Sequence, residues 1–237
     1  ACSQSSSQST GTTSSTTSKT SAVTATTSKK TNKNNSNYFT SKDSDTSYDE
    51  SSASKIKLSG SSADVSGDGV AVSGSTVTIS KAGTYVISGK SDGVQIKVDS
   101  GDSDDVHIIL DGVTMTNTNA AINATKAGHV YLTLKDGTTN TLSDSSSNSD
   151  EDADAVIFSK GDLTINGTGT LNVDAKKNNG IKANDSLHMT GGTYKISSVG
   201  DAFNVNDELN ITGTTMTIEA EEDGVKVDND DDTSVGT

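Results

Sequence analysis

Ser186-Leu187-His188-Met189-Thr190-Gly191-Gly192-Thr193-Tyr194-Lys195-Ile196, closing at Asp201-Ala202-Phe203, decides the fold, because it returns about 22 residues later. The copy reads Glu208-Leu209-Asn210-Ile211-Thr212-Gly213-Thr214-Thr215-Met216-Thr217-Ile218 and closes at Asp223-Gly224-Val225. One unit earlier stand Asp162-Leu163-Thr164-Ile165-Asn166-Gly167 and Thr170-Leu171-Asn172-Val173, closing at Asn179-Gly180-Ile181. Looser units run from Val130-Tyr131-Leu132-Thr133-Leu134 to Asp154-Ala155-Val156, and from Val106-His107-Ile108-Ile109-Leu110 to Asn119-Ala120-Ala121-Ile122. Each unit holds two short runs of alternating apolar residues and a third apolar touch, set apart by Gly, Asn and Asp. Period-two alternation describes strands with one buried face, and the turns come too often for a helix.

Three short strands per repeat predict an all-β chain wound as a right-handed parallel β-helix in which equivalent residues line up as columns. An antiparallel sandwich also alternates and turns every 8–12 residues. A sandwich, however, has no reason to repeat side-chain identity from strand to strand, and here the inward pair, the Gly and the closing Asn or Asp all recur. Tyr194 and Met216 read as core. The stretch from Lys55 to Val98 is strand-like but less regular and predicts the N-terminal end of the solenoid. The last unit, from Asp228, stops without a polar cap, so the solenoid is expected to continue past Thr237.

Of the 237 residues 29% are hydrophobic and 3% aromatic; there is no Pro and one Cys. The net charge is -14, and all 18 basic residues are Lys. An acidic chain without Arg and with few aromatics is no nucleic-acid binder. A single Cys excludes an internal disulfide framework or a cysteine zinc cluster. The first 42 residues are Ser/Thr-rich and carry five Lys and no acid, which leaves -19 for the rest. Such a segment cannot bury enough apolar surface to offset chain entropy, so residues 1–54 are read as a disordered linker and 55–237 as the folded domain. Ala1-Cys2 ahead of that spacer resembles the processed start of a bacterial lipoprotein. Cys2 is then the lipid anchor, holding the chain to the cell membrane at the extracellular face of a bacterium.

Three sets of residues are candidates for chemistry. The closing column reads Asn119, Asp154, Asn179, Asp201, Asp223. Carboxylates one strand spacing apart repel by about 1 kcal/mol in water and roughly 3.5 kcal/mol at an effective dielectric of 20. A bound oxygen-seeking cation relieves that, so Asp154, Asn179, Asp201 and Asp223 are candidate Ca²⁺ ligands. A second acidic row reads Asp162, Asp185, Asp207. A basic row reads Lys160, Lys182 and Lys226, interrupted by Asn204, and is the candidate sugar-contacting set. The acidic insertion Asp144 to Asp154 adds charge without the spacing of an EF-hand. The three His fall at different places in the repeat and are expected to form no cluster, and no flat aromatic strip is expected.

Val77-Thr78-Ile79-Ser80-Lys81-Ala82-Gly83-Thr84-Tyr85-Val86-Ile87-Ser88-Gly89, Leu110-Asp111-Gly112-Val113, Ala155 to Ile165, Asn179-Gly180-Ile181-Lys182 and Asp223-Gly224-Val225-Lys226 together resemble one known family. It is the carbohydrate-binding β-helix domain of clostridial surface proteins, related in fold to polysaccharide lyases. The resemblance covers roughly residues 55–232. It implies a right-handed parallel β-helix, bound Ca²⁺, and binding of cellulose and acidic polysaccharides such as pectate. The expected function is therefore a non-catalytic, calcium-dependent polysaccharide-binding protein of the cell surface. Two alternatives stand beside it: a polysaccharide lyase using Ca²⁺ with Lys160, Lys182 or Lys226 as base, and a structural adhesin.

Overall fold

The computed structural model describes residues 38–228 and the backbone of 20–24. Cys2, most of the Ser/Thr-rich segment and the acidic run after Asp228 lie outside the described residues. The strands are β1 (Thr20–Thr24), β2 (Ser54–Gly60), β3 (Ser62–Ser66), β4 (Val70–Ser73), β5 (Thr76–Ile79), β6 (Gly83–Asp92) and β7 (Gln95–Asp99). They continue with β8 (Asp105–Thr116), β9 (Ile122–Lys126), β10 (His129–Leu134), β11 (Thr139–Ser143), β12 (Ala155–Ser159), β13 (Asp162–Gly167) and β14 (Thr170–Ala175). The last are β15 (Asn179–Ala183), β16 (Leu187–Thr190), β17 (Thr193–Ser198), β18 (Phe203–Val205), β19 (Leu209–Thr212), β20 (Thr215–Ala220) and β21 (Val225–Val227).

The repeats pair in parallel. One stack runs β8-β10-β13-β16-β19, a second β8-β11-β14-β17-β20, and a third β7-β9-β12-β15-β18-β21. The first two stacks share β8 and so form one 13-stranded sheet that curls like half a barrel, facing an 8-stranded sheet. The shared strand has a physical cause. β6 and β8 each run unbroken through a corner, with a register shift between Ile87 and Gly89. From β10 onward a turn cuts the chain at that corner. The corner itself demands glycine: at Gly167 φ is +92°, and a Cβ there would lie 2.2 Å from the Leu134 carbonyl oxygen of the neighbouring rung.

Register puts the inward residues in columns. Val106, Val130, Leu163, Leu187 and Leu209 form one, and Ile108, Leu132, Ile165, Met189 and Ile211 another. Opposite, Leu171, Tyr194 and Met216 align, as do Ile122, Ile157, Ile181, Phe203 and Val225. Most are at most 5% exposed, and Tyr194 satisfies its hydroxyl on the Gly191 carbonyl at 3.1 Å. Polar residues are few among the inward positions, and one of them shapes the corner. Asn140, fully buried, accepts from the amides of Gly112 and Val113 at 2.9 and 3.0 Å and so holds the corner of β8 closed.

Among the described residues antiparallel pairing is confined to the ends: the hairpins β2–β3 and β4–β5 at one, and β1 against β20 at the other. The N-terminal irregularity read from Lys55 to Val98 is these two hairpins. Residues 38–53, assigned to the linker by composition, lie against the outer face of the first stack, with Asp43 only 1% exposed.

Candidate functional site

The closing column exists, and the side-chain oxygens of Asp154, Asn179 and Asp201 are already engaged. The Asn179 side chain accepts the Asp201 amide at 3.2 Å, and Asp201 accepts the Asp223 amide at 3.0 Å with its other oxygen 2.9 Å from Asn204 Nδ2. Asp154 is held by Lys182 Nζ at 2.7 Å and Asn178 Nδ2 at 2.6 Å. Each rung thus ties its turn to the next, and the carboxylate repulsion expected from the sequence is relieved by backbone N–H donors and a lysine. Of the four, Asp223 alone keeps a carboxylate outside these bonds, so no set of free oxygens converges there as a Ca²⁺ shell. Among the described residues no group of three His, Cys, Asp or Glu is gathered for a metal. The basic row needs one correction. Lys182, Asn204 and Lys226 are in register, but the position beside Lys182 on β12 is Phe158, and Lys160 lies two residues on, exposed in the turn. The Lys182 ammonium sits 5.9 Å from the Phe158 ring centre. The second acidic row shifts as well: Asp185 and Asp207 are neighbours, whereas Asp162 aligns with Ser186, whose amide it accepts at 3.1 Å.

The outer face of the first stack corrects one part of the expectation about histidine, since His107 and His188 fall at the same place in the repeat. His107, Tyr131, Thr164, His188 and Asn210 occupy one column, with His129 two residues before Tyr131 on β10. The His129 and Tyr131 rings stack in parallel, centres 3.9 Å apart and planes 9° from coplanar. Across this face lies the strap 38–53. Its turn Ser41–Ser44 is closed by a reciprocal Thr40–Asp43 cap, the Thr40 amide donating to Asp43 at 2.8 Å. The same carboxylate receives Thr164 Oγ1 at 2.7 Å and His188 Nδ1 at 3.0 Å. The Asp43 carbonyl accepts from Thr190 Oγ1 at 2.7 Å and Asn166 Nδ2 at 3.3 Å. Phe39 meets His188 edge-on at 5.6 Å, Tyr48 meets His107 at 6.4 Å, and Lys42 pairs with Asp105 beside Tyr131. Between strap and sheet a cleft of about 270 Å³ remains, lined by Thr40, Asp43, His129, Tyr131, Asp162, Leu163, Ser186, His188 and Glu208.

Protonation follows from the donors. Asp43 and Glu208 accept only, so both nitrogens of His188 carry hydrogen, with Nε2 3.1 Å from Glu208. Thr164 gives its proton to Asp43, so His129 Nε2, 2.7 Å from Thr164 Oγ1, is the donor of that pair. Burial disfavours the His188 imidazolium, but its bonds to Glu208 and Asp43 and their charges outweigh burial and raise its pKa above 6.5. Burial likewise pushes the Asp43 carboxyl up, yet the bonds from Thr40, Thr164 and His188 together bring it below 3.8. Burial lowers His107 and His129 and, reinforced by Asp105, Asp43 and Asp162, lifts the Tyr131 phenol to about 12.

A raised imidazole pKa stabilises the fold fully below the unfolded value of about 6.5 and ceases to as pH rises through the higher folded value. A lowered carboxyl pKa stabilises above about 3.9 and ceases to as pH falls through the lower one. The strap is therefore held best between these limits. The buried neutral His107 and His129 have the opposite sign, favouring higher pH, so the informative quantity is a difference. The stability margin of the wild type over His188→Gln should shrink between pH 6 and pH 9 in paired urea titrations; a margin constant over that range refutes the charged bridge.

The arrangement offers a π surface, hydroxyls, imidazole donors and carboxylate acceptors around one cleft. Three comparisons bear on its use. A family model described as carbohydrate-binding domain-containing protein matches residues 73–237. A carbohydrate-binding domain-containing protein of Acetivibrio thermocellus is 38% identical over 125 residues, covering 50% of this chain and 44% of the relative. The chain thus spans less than half the length of that relative. The solved structure of a polysaccharide lyase-like protein from C. thermocellum, a gadolinium derivative, aligns with a TM-score of 0.63 at 26% identity, over 75% of this chain and 95% of the other.

Proposed function

The chain belongs to the carbohydrate-binding domain-containing protein family, and we propose that it binds a polysaccharide in the cleft between the strap and the first strand stack, without cleaving it. The observation that carries this reading is the stacked His129–Tyr131 pair lining a cleft of about 270 Å³ beside Thr40, Ser186, Asp162 and Glu208. A flat ring pair suits the C–H face of a pyranose, and the polar side chains suit its hydroxyls. In this proposal the three stacks are the faces of a right-handed parallel β-helix, and the long strand stack beside the cleft suits an extended glycan. Cellulose and pectate, the ligands that the resemblance implies, are the reference polysaccharides for the test. Tyr131→Ala should weaken binding about tenfold in affinity electrophoresis; unchanged mobility would remove the cleft from the reading.

Binding without cleavage is supported by Lys182: this one of the three candidate bases is committed to Asp154 and the Asp152 carbonyl. Appearance of unsaturated uronides from polygalacturonate would overturn it. The calcium requirement in this proposal stands apart from the cleft. Calorimetric titration reads it, and absence of heat at ~1 mM ion removes it without touching the saccharide reading. Display at the cell surface through a lipid on Cys2 completes the proposal; fatty-acid labelling that survives Cys2→Ser would contradict it.

A further inference from the structure

We infer that the cleft selects a cationic sugar, an oligomer of glucosamine type carrying free ammonium groups, over neutral and uronic-acid glycans; this rests on the reading that the cleft binds a saccharide. The cleft opens along the start of the strands, where His129, Asp162, Ser186 and Glu208 follow one another from rung to rung. Three carboxylates line it, those of Asp43, Asp162 and Glu208. Just outside runs the neighbouring pair Asp185 and Asp207. Opposing positive charge is scarce. Among the described residues no lysine lines the cleft. His188 already serves Asp43 and Glu208, and Lys42, at the far side of Tyr131, serves Asp105.

The carboxylates feel one another. Burial and the charges of Asp162 and Asp207 together hold the Asp185 carboxyl above its ordinary value. A negative field in a partly enclosed site repels a uronate carboxylate and draws in an ammonium, to which Asp162 and Glu208 offer charge-assisted acceptors. The rest of the chain reinforces this, since residues beyond the first 42 carry -19. The stacked rings then supply what every pyranose shares, and the carboxylates supply the discrimination.

The test is calorimetry on the full chain at pH 6 and low salt, with hexamers of glucosamine, N-acetylglucosamine and galacturonic acid. The glucosamine hexamer should bind about tenfold more tightly than its acetylated counterpart, and the galacturonate hexamer most weakly. Asp162→Asn should close most of that gap by weakening the glucosamine hexamer more than its acetylated counterpart. Glu208→Gln is the second variant, because Glu208 also touches His188. Equal affinities, tightest binding of galacturonate, or a gap insensitive to both variants would overturn the inference. Should no hexamer bind, and no polysaccharide retard the wild type in affinity electrophoresis, the cleft reading itself falls instead.

Discussion

Asp43→Ala should lower the stability of the protein by about 3 kcal/mol and release residues 38–53 from the sheet. The size follows from what the substitution leaves behind. Asp43 is 1% exposed and accepts from the Thr40 amide, Thr164 and His188. Bonds to a charged group are worth about 1.5–3 kcal/mol each, and donors stranded by truncation add a desolvation penalty. Asp43→Asn keeps the shape and one acceptor oxygen, so it should cost roughly half as much. Urea denaturation reads the energy, and limited proteolysis reads the strap. The alanine variant should be cut between Tyr38 and Ala53 under conditions that leave the wild type intact. Equal resistance in both would mean that the strap is held by something other than this carboxylate.

Phe203→Ala should be costlier still, at about 4 kcal/mol. Phe203 is fully buried and in register between Ile181 and Val225, so truncation leaves a cavity that the flanking rungs cannot close without losing their pairing. Val225→Ala is the internal control. Its side chain lies in the same column, but Val225 is 49% exposed, and its loss should amount to less than about 1 kcal/mol. Stacked repeats touch only their neighbours, so the damage from Phe203→Ala should concentrate in β15, β18 and β21. Faster amide exchange confined to those strands is the expected result. Uniform acceleration across β8 to β14 would show a core that acts as one block.

Much of the fold is legible because the inward residues repeat. Leu163, Leu187 and Leu209 announce their column by identity, as do Thr170, Thr193 and Thr215 beside the corner. Parallel pairing follows from that repetition. The curl of the 13-stranded sheet does not, since it depends on β8 running through a corner where later repeats turn, a matter of local backbone conformation.

The outer columns were harder to read. Identity alone makes Lys160 a neighbour of Lys182, but the aligned neighbours Ala155–Asn179 and Ser159–Ala183 place Phe158 there. The histidine column was hidden by the acidic insertion, which lengthens the step from Tyr131 to Thr164 relative to that from Thr164 to His188. Aligning Val130-Tyr131-Leu132 with Leu163-Thr164-Ile165 and Leu187-His188-Met189 would have revealed it. The strap had no hydropathic signal. Its partners are Thr164, Asn166, Thr190 and His188, and a segment pinned by polar groups looks like a linker in any composition count.

A crystal structure of the protein with a bound glucosamine hexamer addresses the cleft most directly. A pyranose should lie against the His129–Tyr131 pair, with an ammonium within hydrogen-bond reach of Asp162 or Glu208. A hexamer seated instead along Lys182, Asn204 and Lys226 on the 8-stranded sheet, with the cleft free of sugar, would contradict it.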